Sequence, residues 1–191
     1  MGGGLAALGR AAANQLESLV MHGVGIDVRD LRALVHAPSA GHLRALDPGL
    51  AFKRRHDVTA VLLESSHLGA LEELHLQGLS LSAALLLAGS TALPALRSLY
   101  VEVIEVDPDG ALQFPYAPQV AHLAKLRLDA AGNTGALEQV ITSDGMARTR
   151  HLELRGEAVT DDLVEKLARN PAVSNLRTLR LCEPGLGDRV H

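Results

Sequence analysis

A single cysteine, Cys182, stands in 191 residues. An internal disulfide framework is therefore excluded, and a reducing, cytoplasmic setting is expected. Tryptophan is absent and aromatics reach only 2%, as Phe52, Tyr100, Phe114 and Tyr116. That leaves little on which to stack bases. Together with a net charge of −4 it argues against a nucleic-acid partner. Lysine occurs only at 53, 125 and 166. The longest uninterrupted apolar run, Ala83 to Ala88, falls far short of the roughly 20 residues of a membrane-crossing helix, so no membrane partner is expected. The opening Met1-Gly2-Gly3-Gly4-Leu5 lacks the basic region and apolar stretch of a secretion signal. With 47% hydrophobic and 21% charged residues, the composition is that of one folded domain with a sizeable core.

What the chain does contain is a recurring phrase. Leu71, Leu74 and Leu76 read Leu-x-x-Leu-x-Leu, and the spacing returns at Leu123, Leu126, Leu128 and at Leu176, Leu179, Leu181. Looser copies are Leu16, Leu19, Met21; Leu43, Leu46, Pro48; Leu96, Leu99, Val101; and Thr149, Leu152, Leu154. The seven starts, at 16, 43, 71, 96, 123, 149 and 176, are 25 to 28 residues apart. Regular steps with apolar residues at matched offsets are the mark of a repeat architecture.

Within each unit the apolar period changes. The second half of the phrase alternates apolar and polar, as a strand with one buried face does. Helical spacing follows. In 160–171, Thr160 is placed to cap, Asp161 and Asp162 suit the positive end of the helix dipole, and Arg169 suits the other. Asn170-Pro171 stops the helix, with Leu163, Leu167 and Ala168 expected to face inward. Comparable stretches are Asp30 to Val35, Val58 to Glu64, Ala83 to Ala88, Pro118 to Ala124 and Ala136 to Thr142. A strand and helix of under 30 residues cannot bury their own apolar faces, so the units are expected to stack into one continuous core.

The phrase and its step resemble the leucine-rich repeat, most closely the ribonuclease-inhibitor-like branch; 176–188 is similar to that branch's repeat start. The resemblance covers residues 14–191, with 1–13 left as a flexible leader or part of a preceding helix. It implies an α/β solenoid, a curved horseshoe with a parallel sheet on the concave face and helices on the convex face. It implies protein binding, no intrinsic catalysis and no cofactor. The chain departs from the family at the Asn or Cys that follows each phrase. Those positions hold Val24, Ala51, Leu79, Ile104, Ala131, Glu157 and Pro184, so the usual side-chain ladder is missing and the turn backbone must find other partners. The Pro48 and Pro115 units are expected to be distorted. Residues 5–15 read as the helix of an earlier unit and the chain stops where a seventh helix would begin. A piece of a longer protein is therefore expected, or self-association through uncapped ends.

Catalytic and metal chemistry find no support. Cys182 follows the seventh phrase beside Arg155, with no histidine at a matching offset to activate it. His22, His75 and His151 fall in the first, third and sixth units, too dispersed to share an ion. The 107–110 stretch Asp-Pro-Asp-Gly is a turn.

The outward strand positions carry the functional signal. Their central column reads Val20, Asp47, His75, Tyr100, Arg127, Glu153 and Arg180. Glu153 between Arg127 and Arg180 is an expected charge ladder, Asp47 beside His75 an expected pair, and Tyr100 the one aromatic anchor. Arg150 and Arg177 lie side by side in a neighbouring column, which is unfavourable unless something anionic sits there. Units one to four set Glu17, Asp47, Glu72, Glu73 and Glu102 against Arg44 and Arg97. Units five to seven set Lys125, Arg127, Arg150, Arg155, Arg177 and Arg180 against Asp129, Glu153 and Glu183. A face acidic at one end and basic at the other suits an oriented protein partner, with ordinary solvated charge as the plain alternative. The expectation is a non-enzymatic protein-binding module. A structural spacer and a targeting domain for a fused catalytic domain are the other readings.

Overall fold

In a computed structural model the described residues are 15–21, 27–49, 56–80, 83, 86–87, 90–105, 123–130, 134–142, 144–157 and 159–182. Seven strands form one open, wholly parallel sheet, ordered as in the chain. They are β1 (Ser18–Val20), β2 (Ala45–Asp47), β3 (Glu73–Ser80), β4 (Ser98–Glu105), β5 (Lys125–Ala130), β6 (His151–Arg155) and β7 (Thr178–Cys182). Each strand lies beside its successor with the phrases in step: Leu19, Leu46, Leu74, Leu99, Leu126, Leu152 and Leu179 pair successively across the sheet. Successive side chains of a strand point to opposite faces. Aligned phrases therefore put all these leucines on one face and the polar residues between them on the other.

Among the described residues α-helices follow strands at α1 (Val28–Val35), α2 (His56–Leu63), α3 (Thr134–Thr142) and α4 (Asp161–Arg169). Their buried residues, among them Leu31, Leu34, Val61, Leu62, Val140, Leu163 and Leu167, join the strand leucines in one hydrophobic cluster. Leu43, Leu71, Leu96, Leu123 and Thr149, the first positions of their phrases, are also buried there. Fully burying one such leucine stabilises by about 1.5–3 kcal/mol, so the columns supply the main driving force. The last strand differs. Leu179 and Leu181 of β7 are 40% and 39% exposed, since no described residue covers them.

The α4 segment forms as its sequence dictates at the start and differs at one face. Thr160 Oγ1 accepts from the Leu163 amide at 3.3 Å, capping the helix. Leu163 and Leu167 are buried, but Ala168 is exposed. It lies a further 100° round the helix from Leu167, past the apolar stripe, and the third inward contact is made by Asn170 instead. Of the other expected helices, Pro118 to Ala124 lies outside the described residues apart from its last two positions. Ala83 to Ala88 is described only at 83, 86 and 87. Short 3-10 turns, at Pro38–His42, Leu68–Ala70, Asp144–Arg148 and Pro171–Asn175, carry the chain from helix to strand.

Two local features set the register. Pro48 has no amide to donate, and β2 pairs with β3 at only two positions, against seven between β3 and β4. The chain turns there through Gly49 at φ 75, where a Cβ would stand 2.1 Å from the Met21 carbonyl oxygen, so only glycine fits. The missing Asn ladder is replaced in two ways. Leu79 lies inside the long strand β3 and pairs with Val103 of β4, with a bulge at Gly78, φ 74. On the helix side, Ser65 Oγ donates to the Val35 carbonyl at 2.5 Å and Asn170 Nδ2 to the Ile141 carbonyl at 2.6 Å. Ser65 and Asn170 stand six residues before Leu71 and Leu176, and Val35 and Ile141 eight before Leu43 and Thr149. They form equivalent bonds between successive units. Each side chain also accepts from the amide two residues on, at 3.2 Å for His67 and 2.8 Å for Ala172; Ser90 accepts in the same way from Ala92 at 3.0 Å.

Candidate functional site: the polar face of the sheet

Strand register brings the expected central column together. Val20 pairs with Asp47, His75 with Tyr100, Tyr100 with Arg127, Arg127 with Glu153 and Glu153 with Arg180. Side chains join it into a continuous train. Asp47 is 7% exposed, and its Oδ2 lies 2.6 Å from His75 Nδ1 while its Oδ1 accepts from the Gly49 amide at 3.0 Å. One carboxylate therefore orients the imidazole and closes the turn after β2. The His75 and Tyr100 rings meet edge to face, centroids 3.9 Å apart and planes at 69°. The Arg127 guanidinium, one strand further on, lies over the Tyr100 ring, 4.2 Å from its centroid, a cation–π contact.

Beyond Arg127 the train departs from the expected ladder. Glu153 Oε1 contacts Arg127 Nε at 3.1 Å and Arg155 Nε at 2.6 Å, and Arg180 is not among its ion-pair partners. The bond to Arg155 is a well-formed hydrogen bond, whereas the contact to Arg127 is an ion pair without hydrogen-bond alignment. Arg155 lies two residues from Glu153 on the same strand and face, close enough to capture it ahead of the neighbouring strand. Glu153 holds the Arg155 guanidinium above its usual range of protonation, through that hydrogen bond first. Burial pushes the Tyr100 phenol upward, a rise opposed by the nearby Arg127 charge.

The remaining nominated residues are placed as follows. Arg180 is exposed on β7. Arg150 and Arg177 are exposed and stand just before β6 and β7, at the edge of the sheet where the strands begin, rather than on the central column. Cys182 is half-buried and pairs in register with Arg155. His151 Nδ1 is 3.1 Å from Thr178 Oγ1, while His22 lies outside the described residues. Among the described residues no three His, Cys, Asp or Glu side chains converge to hold a metal ion, and no helix is long and apolar enough to cross a membrane.

The sequence reading did not single out Arg148, which the Asp144–Arg148 turn carries to the same edge as Arg150. Its signal was weak, because an arginine before a phrase is ordinary until the turn's geometry is known. Chemically the polar face offers a partly exposed aromatic ring, fixed between an imidazole and a guanidinium, with charges of both signs in reach. That is equipment for recognition, since a fixed ring binds with little loss of conformational freedom. No family model matches the chain, and no curated protein matches it.

Proposed function

We propose that the chain is a leucine-rich-repeat solenoid of the ribonuclease-inhibitor-like kind, acting as a non-enzymatic module that binds a protein partner on the open, concave face of its sheet. The observation that carries this reading is the train Asp47–His75–Tyr100–Arg127–Glu153–Arg155, which lines up along the polar face through strand register and direct contacts. Tyr100 is the anchor, and Arg180, exposed beyond the train, supplies a charge for the partner. Hot spots are enriched in tyrosine and arginine held in such settings.

The test is capture from a lysate by the wild-type chain and by Tyr100→Ala/Arg180→Glu. A protein retained by the first is expected to be lost, by more than about tenfold, from the second. Because Tyr100 touches both His75 and Arg127, the double variant is also expected to lose about 1–2 kcal/mol of stability. Arg169→Glu, on the helix side, is the control and should bind as wild type. Equal capture by the double variant rejects this placement.

The exposed Leu179 and Leu181 favour a second reading, a self-assembling spacer. Light scattering separates the two: a monomer across concentrations supports the binding module, and concentration-dependent oligomers support assembly.

A further inference from the structure

The residue that precedes each strand forms a row across one edge of the sheet. In the first three units it is Glu17, Arg44 and Glu72; in the last four it is Arg97, Ala124, Arg150 and Arg177. Backbone hydrogen bonds run along the whole row. Arg44 donates to Glu17, Glu72 to Arg44, Arg97 to Glu72, Ala124 to Arg97, Arg150 to Ala124 and Arg177 to Arg150, all at 2.7–2.9 Å. The first residue of each following strand donates to the same carbonyl. The row's amides are thus consumed by the sheet, and whatever this edge binds must be held by side chains.

The two halves of the row differ in how their charge is met. Arg44 Nη1 lies 2.7 Å from Glu72 and its Nε 3.9 Å from Glu17, so the one arginine of the first half is already met by carboxylates. In the second half Arg97, Arg150 and Arg177, joined by Arg148 from the turn before β6, border a cleft of about 640 Å³. Ala124 lines it between Arg97 and Arg150, where a longer side chain would fill the space. All four arginines are exposed, and none lies within ion-pair distance of a described carboxylate. Arg150 and Arg177 precede adjacent strands, where like charges side by side are unfavourable, and an anion in the cleft would relieve that repulsion.

We propose that this cleft is a docking groove for an acidic peptide segment of a partner protein, its carboxylates taken in pairs by the guanidinium forks. Arginine suits that role because its planar fork meets a carboxylate with two parallel hydrogen bonds. The dimensions select a segment over an isolated anion. Neighbouring strands are about 4.8 Å apart, so Arg97 and Arg177, three strands apart, are separated by roughly 14 Å. One small anion cannot reach both. Alternate side chains of an extended peptide are about 7 Å apart, so acidic residues at i, i+2 and i+4 cover the row. A single-stranded nucleic acid fits less well, since the cleft lining holds no aromatic ring to stack a base and the chain as a whole carries −4. The site uses the edge of the sheet and none of the polar-face train, so it stands or falls apart from the reading of Tyr100.

The test is fluorescence anisotropy on the full chain with a labelled peptide of alternating glutamate and alanine. An oligothymidylate of equal charge and inorganic phosphate serve as competitors. The peptide is expected to bind, and its affinity to fall at least about tenfold from about 50 to about 300 mM salt. Arg150→Gln/Arg177→Gln is expected to weaken binding at least about tenfold, by removing two charge-assisted forks. Its thermal melt should be no lower than wild type, because the side chains removed are exposed and mutually repulsive. Arg169→Gln, which removes one positive charge on the helix side, should stay within about twofold. The proposal is overturned if the double variant binds as wild type, or if the oligothymidylate binds more tightly than the peptide. It is overturned equally if millimolar phosphate displaces the peptide completely, or if the cleft is taken by a second copy of the chain, seen as a dimer that the peptide does not dissociate.

Discussion

Tyr100 concentrates the chemistry of the polar face in one side chain. Its phenol feels two opposed influences: burial raises its pKa, and the Arg127 guanidinium 4.2 Å from the ring lowers it, with the first prevailing. Since the folded pKa lies above the unfolded value, the folded state binds the proton more tightly. The corresponding stability is fully present below about pH 10 and is lost as pH rises through the folded value. With Tyr116→Phe removing the other tyrosine, absorbance near 295 nm reports Tyr100 alone, and its midpoint is expected above the ordinary tyrosine value of about 10. Arg127→Met keeps the ring covered while removing the charge, so it should move the midpoint higher still. An unchanged midpoint in Arg127→Met would show that the guanidinium acts chiefly by covering the ring.

The strands were legible in the sequence because the phrase states both position and face. Aligned leucines gave the pairing of Leu74, Leu99, Leu126, Leu152 and Leu179, and hence which residues share the polar column. Register fixes backbone neighbours and leaves rotamers free, which is why Glu153 turns to Arg155 and Arg127 where the column alone set it between Arg127 and Arg180. The inter-unit bonds were hidden for another reason. The position three residues after each phrase lacks asparagine, while the polar side chains that serve here, Ser65 and Asn170, stand at the ends of the preceding helices. The 3-10 turns after them have no apolar period to announce them. Asn170 is 9% exposed and meets both the Ile141 carbonyl and the Ala172 amide. Truncating it strands a buried carbonyl and an amide together. Asn170→Ala is therefore expected to cost about 2–3 kcal/mol in urea unfolding, with Ser65→Ala similar. Asn175→Ala, which removes an exposed bond to the Ala147 carbonyl, should cost under about 1 kcal/mol. Equal costs at 170 and 175 would mean that the helix-end bonds do not tie successive units.

Among the described residues, the principal contacts join each unit to the next: strand to following strand, α1 to α2, α3 to α4, and turn to turn. Cooperativity must therefore pass through each junction in sequence, and the weakest junction limits it. That junction is β2 to β3, paired at two positions because Pro48 ends the ladder, while the next three junctions pair at seven, six and five. The Asp47–His75 contact and the Arg44–Glu72 pair cross the same junction, but the second is exposed and worth little. The first two units should then open without the rest. In native-state hydrogen exchange the Met21 amide, bonded to the Asp47 carbonyl at 2.8 Å, is expected to exchange at least about a hundredfold faster than the amides of β4 and β5. Low denaturant should melt the first group while leaving the second at its global rate. Equal protection from β1 through β6 would instead require the Asp47–His75 contact and the shared leucine core to bind all the units into one cooperative block, and His75→Ala would then be the variant that splits it.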